Sequence, residues 1–164
     1  MAILKIIRDK YRNETSVQNL IEYCLNPHKM PSNCYGGQGI SFLNPCDCIE
    51  TVKTVFCHNY GKQMEHFVLN FDKSELPRLS IFKILNLSYA ICEYFSGRQI
   101  LFSLHERNDE AEANLHIHFV MNTTNVSTGY KDRLDFSNEY EFRHYVGALL
   151  SHFDITERLI LTAT

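Results

Sequence analysis

The segment Leu115-His-Ile-His-Phe-Val-Met-Asn122 sets His116 and His118 two positions apart inside an apolar run. In a strand the side chains alternate between faces, so both imidazoles fall on one face while Ile117 and Phe119 fall on the other. A second apolar run, Gln99 to His105, precedes a polar, charged segment, Glu106 to Asn114, and the two runs together predict a hairpin. His105 stands where the hairpin loop begins and His116 where it returns, which sets a third imidazole across from the pair. Three imidazoles on one sheet face can hold a divalent cation and leave other positions for water or phosphate oxygens. Two blander readings use the same residues. One is three unconnected histidines, each hydrogen-bonded to a carbonyl; the other is a structural zinc, for which no convincing fourth cysteine stands nearby. His66 is read as a structural histidine of a central strand.

Holding such a cluster together requires a framework, and the chain alternates strand-like and helical segments. Residues 2 to 8 read as a buried strand. Glu14-Thr-Ser opens a helix with apolar residues at Val17, Leu20, Ile21 and Leu25, ending before Asn26-Pro27. Residues 26 to 38 read as loop. Asp47 or a neighbour caps a second helix to about residue 59, Glu65 to Phe71 is a strand, and Ser74 begins a long helix from about 76 to 95 that Gly97 stops. The hairpin follows, then a short strand pair around Gly129 and an amphipathic helix from about Asn138 to Phe153. The order β-α-α-β-α-β-β-α predicts an α+β fold with a mostly antiparallel central sheet and helices packed on its faces.

A length of 164 residues accommodates one compact domain over 1–164 and leaves no room for a second of ordinary size. A 45% hydrophobic, 21% charged composition is ordinary globular usage. The net charge of −3 argues against a protein coated in nucleic acid, although a local basic surface can coexist with an acidic total. The six cysteines form no pair of Cys-x-x-Cys knuckles and are read as reduced thiols, mostly in the core. The N-terminus lacks the long apolar region of a secretory signal or membrane span, so a cytoplasmic protein with no membrane segment is expected.

Leu-His-Ile-His-Phe-Val-Met-Asn, preceded by Phe102-Ser-Leu-His105, resembles the histidine-hydrophobe-histidine motif of relaxases from mobilisable plasmids and integrative conjugative elements. Asn19-Leu-Ile-Glu-Tyr-Cys-Leu-Asn-Pro-His-Lys29 is similar to the segment of the mobilisation nucleases in which a helix carries the nucleophilic tyrosine just before an Asn-Pro and a Lys. Glu65-His-Phe-Val-Leu-Asn-Phe-Asp72 resembles their central strand and Tyr94-Phe-Ser-Gly-Arg the end of their long helix, so the likeness covers most of residues 1 to about 125. In the wider group of HUH endonucleases, replication initiators and single-tyrosine transposases place the tyrosine after the histidine motif, whereas relaxases place it before. Tyr23 comes before; Tyr140 and Tyr145, on the last predicted helix, keep an initiator-like alternative open. The stretch from His105 to His116 is longer than the family's tight hairpin and carries an acidic insertion around Asn108 to Glu112, where Glu106, Asp109 and Glu110 are alternative ligands. No Gly-x-x-x-x-Gly-Lys-Ser/Thr loop for a helicase is present, so only the nuclease is expected.

The resemblance implies a DNA relaxase of HUH-like fold in which Tyr23 attacks the scissile phosphate beside a cation held by His105, His116 and His118. Mg²⁺ or Mn²⁺ is the implied metal, with Zn²⁺ the other candidate because three imidazoles suit Zn²⁺ or Mn²⁺ better than Mg²⁺. The implied partners are single-stranded DNA at an origin of transfer, with a hairpin, and accessory transfer proteins. Lys29, Arg98, Asn122 and Lys131 are candidate DNA-binding residues, and Tyr35, Tyr60 and Tyr130 candidate stacking platforms, each with an ordinary surface or packing role as the competing reading. A non-catalytic relaxase homologue that binds DNA without cutting it is the remaining alternative.

Overall fold

The computed structural model describes residues 2–8, 10–13, 15–30, 33–107, 114–131 and 136–155. Five strands, β1 (Ala2–Ile7), β2 (Tyr35–Gln38), β3 (Met64–Phe71), β4 (Ile100–Arg107) and β5 (Asn114–Asn122), pair throughout in antiparallel fashion in the order β1-β3-β5-β4-β2. Four helices accompany them among the described residues: α1 (Ser16–Cys24), α2 (Pro45–Val55), α3 (Ile81–Glu93) and α4 (Phe136–His152). The expected α+β class, an antiparallel sheet with helices on its faces, is the observed one.

The pairing registers sort the sheet into two unlike faces. Leu4 and Ile6 of β1, Phe67, Leu69 and Phe71 of β3, Ile117 and Phe119 of β5, and Phe102 and Leu104 of β4 point one way and build the larger core with α3 and α4. Phe67 stacks on Phe119 at a centroid separation of 4.8 Å, and Phe142 of α4 closes on Phe67 edge-on at 5.0 Å. The opposite face packs against α1 and α2 through a smaller cluster that includes Leu20, Ile21, Ile49, Leu101 and Val120. That face also carries His66, Val68 and Asn70 of β3, His116 and His118 of β5, and His105 of β4.

Four elements depart from the sequence expectation. Residues 35–38, expected as loop, form the edge strand β2, because Gly36 and Gly37 let the chain approach β4 more closely than any side chain allows. A Cβ on Gly36 would stand 2.4 Å from the Phe102 ring and one on Gly37 2.1 Å from the Ile100 carbonyl oxygen. The long helix expected from residue 76 begins instead at Ile81: Leu76–Arg78 is a separate 3-10 turn containing Pro77, Leu79 is extended, and the Ser80 side chain caps α3 by accepting from the Lys83 N–H at 3.2 Å. Where a strand pair was expected around Gly129, the described residues form one bridge, between Thr124 and Lys131. α2 starts on Pro45 at its first turn, so Asp47 lies inside that turn rather than capping it, and the helix ends at Val55. All six cysteines are free thiols, and Cys24, Cys34 and Cys92 are buried.

Candidate active site

The hairpin does what strand alternation dictates. His105 and His116 are direct cross-strand partners, and His118 sits two residues on, opposite Ser103 on one side and Val68 on the other. Ring centroids are 5.6 Å apart for His105 and His116, 4.4 Å for His105 and His118, and 4.9 Å for His116 and His118. One ligand atom from each of the three can be chosen so that all lie within 4.8 Å of one another, and no other such group of His, Cys, Asp or Glu occurs among the described residues. Glu106 lines the neighbouring cleft without joining the group, and Asp109 and Glu110 lie outside the described residues.

Two of the three rings are held by their outer nitrogens. His105 Nε2 donates to the Cys24 carbonyl at 2.8 Å, leaving its buried Nδ1 with no hydrogen-bond partner. His118 Nδ1 meets His66 Nε2 at 2.9 Å, leaving the buried His118 Nε2 likewise unpartnered. Burial pushes the protonation of both His105 and His118 below the ordinary imidazole range, and for His118 the neighbouring imidazoles add to the shift. A buried acceptor without a donor costs about 1–3 kcal/mol, so neutral rings aiming bare nitrogens at one point fit a divalent cation. This donor set has the chemistry of a metal site.

Tyr23 enters from the other side of the cluster. α1 lays Val17, Leu20, Ile21 and Cys24 against the sheet at helical spacing, which leaves Tyr23, on the adjacent face, 40% exposed at the helix end. Its ring lies 5.5 Å from that of His105 and 5.2 Å from that of His118. The turn Asn26-Pro27-His28-Lys29, closed by Lys29 N–H to the Asn26 carbonyl at 2.9 Å, folds the chain back so that Lys29 Nζ stands 3.9 Å over the Tyr23 ring. Glu106 N–H fixes the end of that turn to β4 by donating to the Lys29 carbonyl. Tyr23, Lys29, Asn70, His105, Glu106, Asn114 and His116 line one cleft of about 410 Å³.

The other sequence candidates lie elsewhere. Asn122 is four residues, about 13 Å of strand, from His118; it is fully buried, donates to Gln99 Oε1 and accepts from the Thr124 N–H. Arg98 is buried beside it, donating to the Asn122 and Thr123 carbonyls. Both side chains are hydrogen-bonded in the interior at the far end of the sheet from the imidazole cluster. Lys131 donates to the Tyr60 carbonyl and stands 4.8 Å over the Tyr60 ring at that same end. Tyr35 rests on Phe42, and Tyr60 and Tyr130 are exposed. Tyr145 donates to the Ala90 carbonyl of α3, and Tyr140 is on α4, so both tyrosines belong to the layer on the opposite face of the sheet.

Two residues beside the site were not singled out as part of it. His66, read as a structural histidine, shares a hydrogen bond with a member of the imidazole cluster, and the alternation of Glu65-His-Phe-Val-Leu-Asn-Phe71 already sets His66 and Asn70 opposite the phenylalanine face. Tyr11, whose hydroxyl meets His66 Nδ1 at 2.6 Å, had no local signal at all.

No helix among the described residues is long and apolar enough to cross a membrane. No curated protein and no solved structure matches the chain significantly. A family model does: Relaxase, MobA/VirD2-like, nuclease domain, matches residues 23–153, a span that opens on Tyr23 and contains all three clustered histidines. With most of its length inside that match and an imidazole cluster beside the first matched residue, the chain belongs to the MobA/VirD2-like relaxase nuclease domains, a family of DNA-nicking enzymes.

Proposed function

We propose that the domain nicks one DNA strand at an origin of transfer by direct attack of Tyr23 on the scissile phosphate, and later rejoins it. The observation that carries this reading is the placement of an exposed tyrosine ring 5.2–5.5 Å from His105 and His118 in a cluster of compatible ligand atoms. Tyr23 Oη forms the bond to phosphorus as the bond to the 3′ oxygen breaks. The phenol proton is lost, the leaving oxygen takes up a proton, and the products are a 5′-phosphotyrosine and a free 3′-hydroxyl. Phosphodiester energy is kept in the tyrosyl ester, so attack by a 3′-hydroxyl reverses the step without ATP.

His105, His116 and His118 would hold Mg²⁺, Mn²⁺ or Zn²⁺, which as a Lewis acid withdraws charge from the phosphate oxygens. The Lys29 ammonium over the Tyr23 ring favours the negative charge that develops on the phenol as its proton leaves. The cleft beside Tyr23 has room for a backbone phosphate and its sugar, with Asn70 and Asn114 available as hydrogen-bonding groups. The substrate is single-stranded DNA next to a hairpin, brought by accessory transfer proteins. The position of Tyr140 and Tyr145 across the sheet argues against the initiator-like alternative.

The test is covalent capture of a labelled single-stranded oligonucleotide carrying an origin of transfer, in the presence of Mn²⁺. Wild type and the Tyr140→Phe and Tyr145→Phe variants should form the adduct on denaturing gels, and Tyr23→Phe should form none. An adduct that survives Tyr23→Phe and disappears with Tyr140→Phe or Tyr145→Phe would sink the reading. A wild type that binds the oligonucleotide tightly and never forms the adduct would make the domain a non-catalytic DNA-binding module.

A further inference from the structure

A chain of buried polar contacts runs away from the imidazole cluster into the body of the protein. His118 Nδ1 meets His66 Nε2 at 2.9 Å, and His66 Nδ1 meets the Tyr11 hydroxyl at 2.6 Å. Tyr11 is held in turn at its backbone, where its carbonyl accepts from the Gln63 N–H at 2.7 Å. The fully buried Lys53 Nζ grips Gln63 through both its carbonyl oxygen and Oε1 at 2.7 Å each. Tyr11 adopts a φ of +65°, a region that costs a residue with a Cβ about 1 kcal/mol or more and is kept only where surrounding contacts enforce it.

We propose that His66 and Tyr11 are positioning residues of the metal centre, fixing the tautomer and orientation of His118 so that its Nε2 lone pair faces the ligand point. This rests on the reading of His105, His116 and His118 as a metal site. Proton counting gives the direction of each bond. A lone pair on His118 Nε2 requires the single proton of that neutral ring to sit on Nδ1. His118 Nδ1–H then donates to His66 Nε2, which must be bare, so the His66 proton sits on Nδ1 and donates to the Tyr11 oxygen. Metal-bound histidines more often donate outward to a carboxylate or a backbone carbonyl. Here the outward partner is a second imidazole backed by a phenol.

The experiment is Co²⁺ titration of the 164-residue chain, followed by calorimetry and by the visible spectrum of the imidazole-bound ion, with thermal melts to check folding. Against wild type, His118→Ala should lose binding. His66→Leu should weaken it about tenfold to a hundredfold and Tyr11→Phe by a smaller factor, the usual scale for losing an outer partner of a metal ligand. His66→Gln keeps an acceptor for His118 Nδ1–H and should restore most of the affinity, which a packing role for His66 would not do. Wild-type affinity in both His66→Leu and Tyr11→Phe, with His118→Ala still inactive in binding, overturns the positioning role and leaves the metal centre standing. A His66→Gln as weak as His66→Leu overturns it as well. Binding that is absent from wild type, or that survives His118→Ala, overturns the metal centre and this proposal with it. Should His66→Leu fail to fold, Tyr11→Phe decides, because it removes a single oxygen.

Discussion

The two faces of the central sheet use the same five strands for opposite ends. Toward α3 and α4 the strands present Phe67, Phe71, Phe102, Phe119 and their aliphatic neighbours, a continuous apolar layer in which the Phe119 ring meets those of both Phe67 and Phe102. Toward α1 and α2 only part of the layer is apolar, and the rest is an imidazole cluster with two bare buried nitrogens, a left-handed tyrosine and a buried lysine. The difference assigns the free energy of folding to one face and lets the other carry groups that weaken it. A site that aims unsatisfied lone pairs at one point is tolerable only when stability comes from elsewhere in the same sheet.

Removing a ring from the apolar face should therefore be the most costly change. Phe119→Ala deletes a fully buried ring that stacks on Phe67 at 4.8 Å, and should destabilise by about 3–5 kcal/mol in urea unfolding. A loss under about 1 kcal/mol would break the division of labour between the faces.

Lys53, under the histidine face, provides a pH test. Burial holds its ammonium at about 8 against an ordinary 10.5. Below pH 8 both folded and unfolded chains carry the proton, and the folded chain bears the desolvation. Between about 8 and 10.5 the unfolded chain keeps a proton that the folded chain has released, so this group adds stability as pH rises, at up to about 1.4 kcal/mol per pH unit. The Cys24 and Cys92 thiols, pushed up to about 12, give the opposite slope above pH 9. That slope is common to wild type and Lys53→Met and cancels in their difference. The stability of wild type minus that of Lys53→Met should climb from pH 8 to 10; a flat difference would show that the lysine is not desolvated.

His118→Leu sharpens the comparison on the other side. It removes one unpartnered nitrogen, His118 Nε2, and creates another, His66 Nε2, each worth about 1–3 kcal/mol. The two effects oppose, so chemical denaturation should find stability within about 1 kcal/mol of wild type although Co²⁺ binding is gone. A destabilisation as large as that of Phe119→Ala would mean that the cluster holds the fold together rather than drawing on it.

Much of this asymmetry was legible in the sequence because strand alternation is local. His116 and His118 against Ile117 and Phe119, and His66 and Asn70 against Phe67, Leu69 and Phe71, separate by parity alone, and the length of the polar insertion does not disturb the His105–His116 pairing. What was illegible depends on contacts distant in sequence. Arg98 and Asn122 look like surface groups until the turn after β5 folds over them, Gly36 and Gly37 read as loop until the Phe102 ring and the Ile100 carbonyl need their missing side chains, and Tyr11 meets His66 across 55 positions of sequence from a backbone angle no propensity scale predicts. Pro77 and Ser80 were both visible, but a proline tolerated in a first turn hid the break that the serine cap marks.

The smallest expected effect separates function from stability at one side chain. Lys29 is partly exposed at the mouth of the site, its ammonium 3.9 Å over the Tyr23 ring, with its carbonyl rather than its side chain tying it to β4. Lys29→Gln keeps that backbone tie and removes only the charge, so stability should move by less than about 0.5 kcal/mol. If the charge assists the phenol as it becomes anionic, single-turnover nicking should slow roughly fivefold, the kinetic equivalent of about 1 kcal/mol of cation–ring attraction. DNA affinity would then change little. A Lys29 that only binds a phosphate gives the reverse pattern, weaker oligonucleotide binding with a shallower salt dependence and an unchanged rate at saturation. The rate at saturating DNA therefore decides whether this lysine belongs to the nucleophile or to the substrate, and neither outcome should disturb the apolar face that holds both in place.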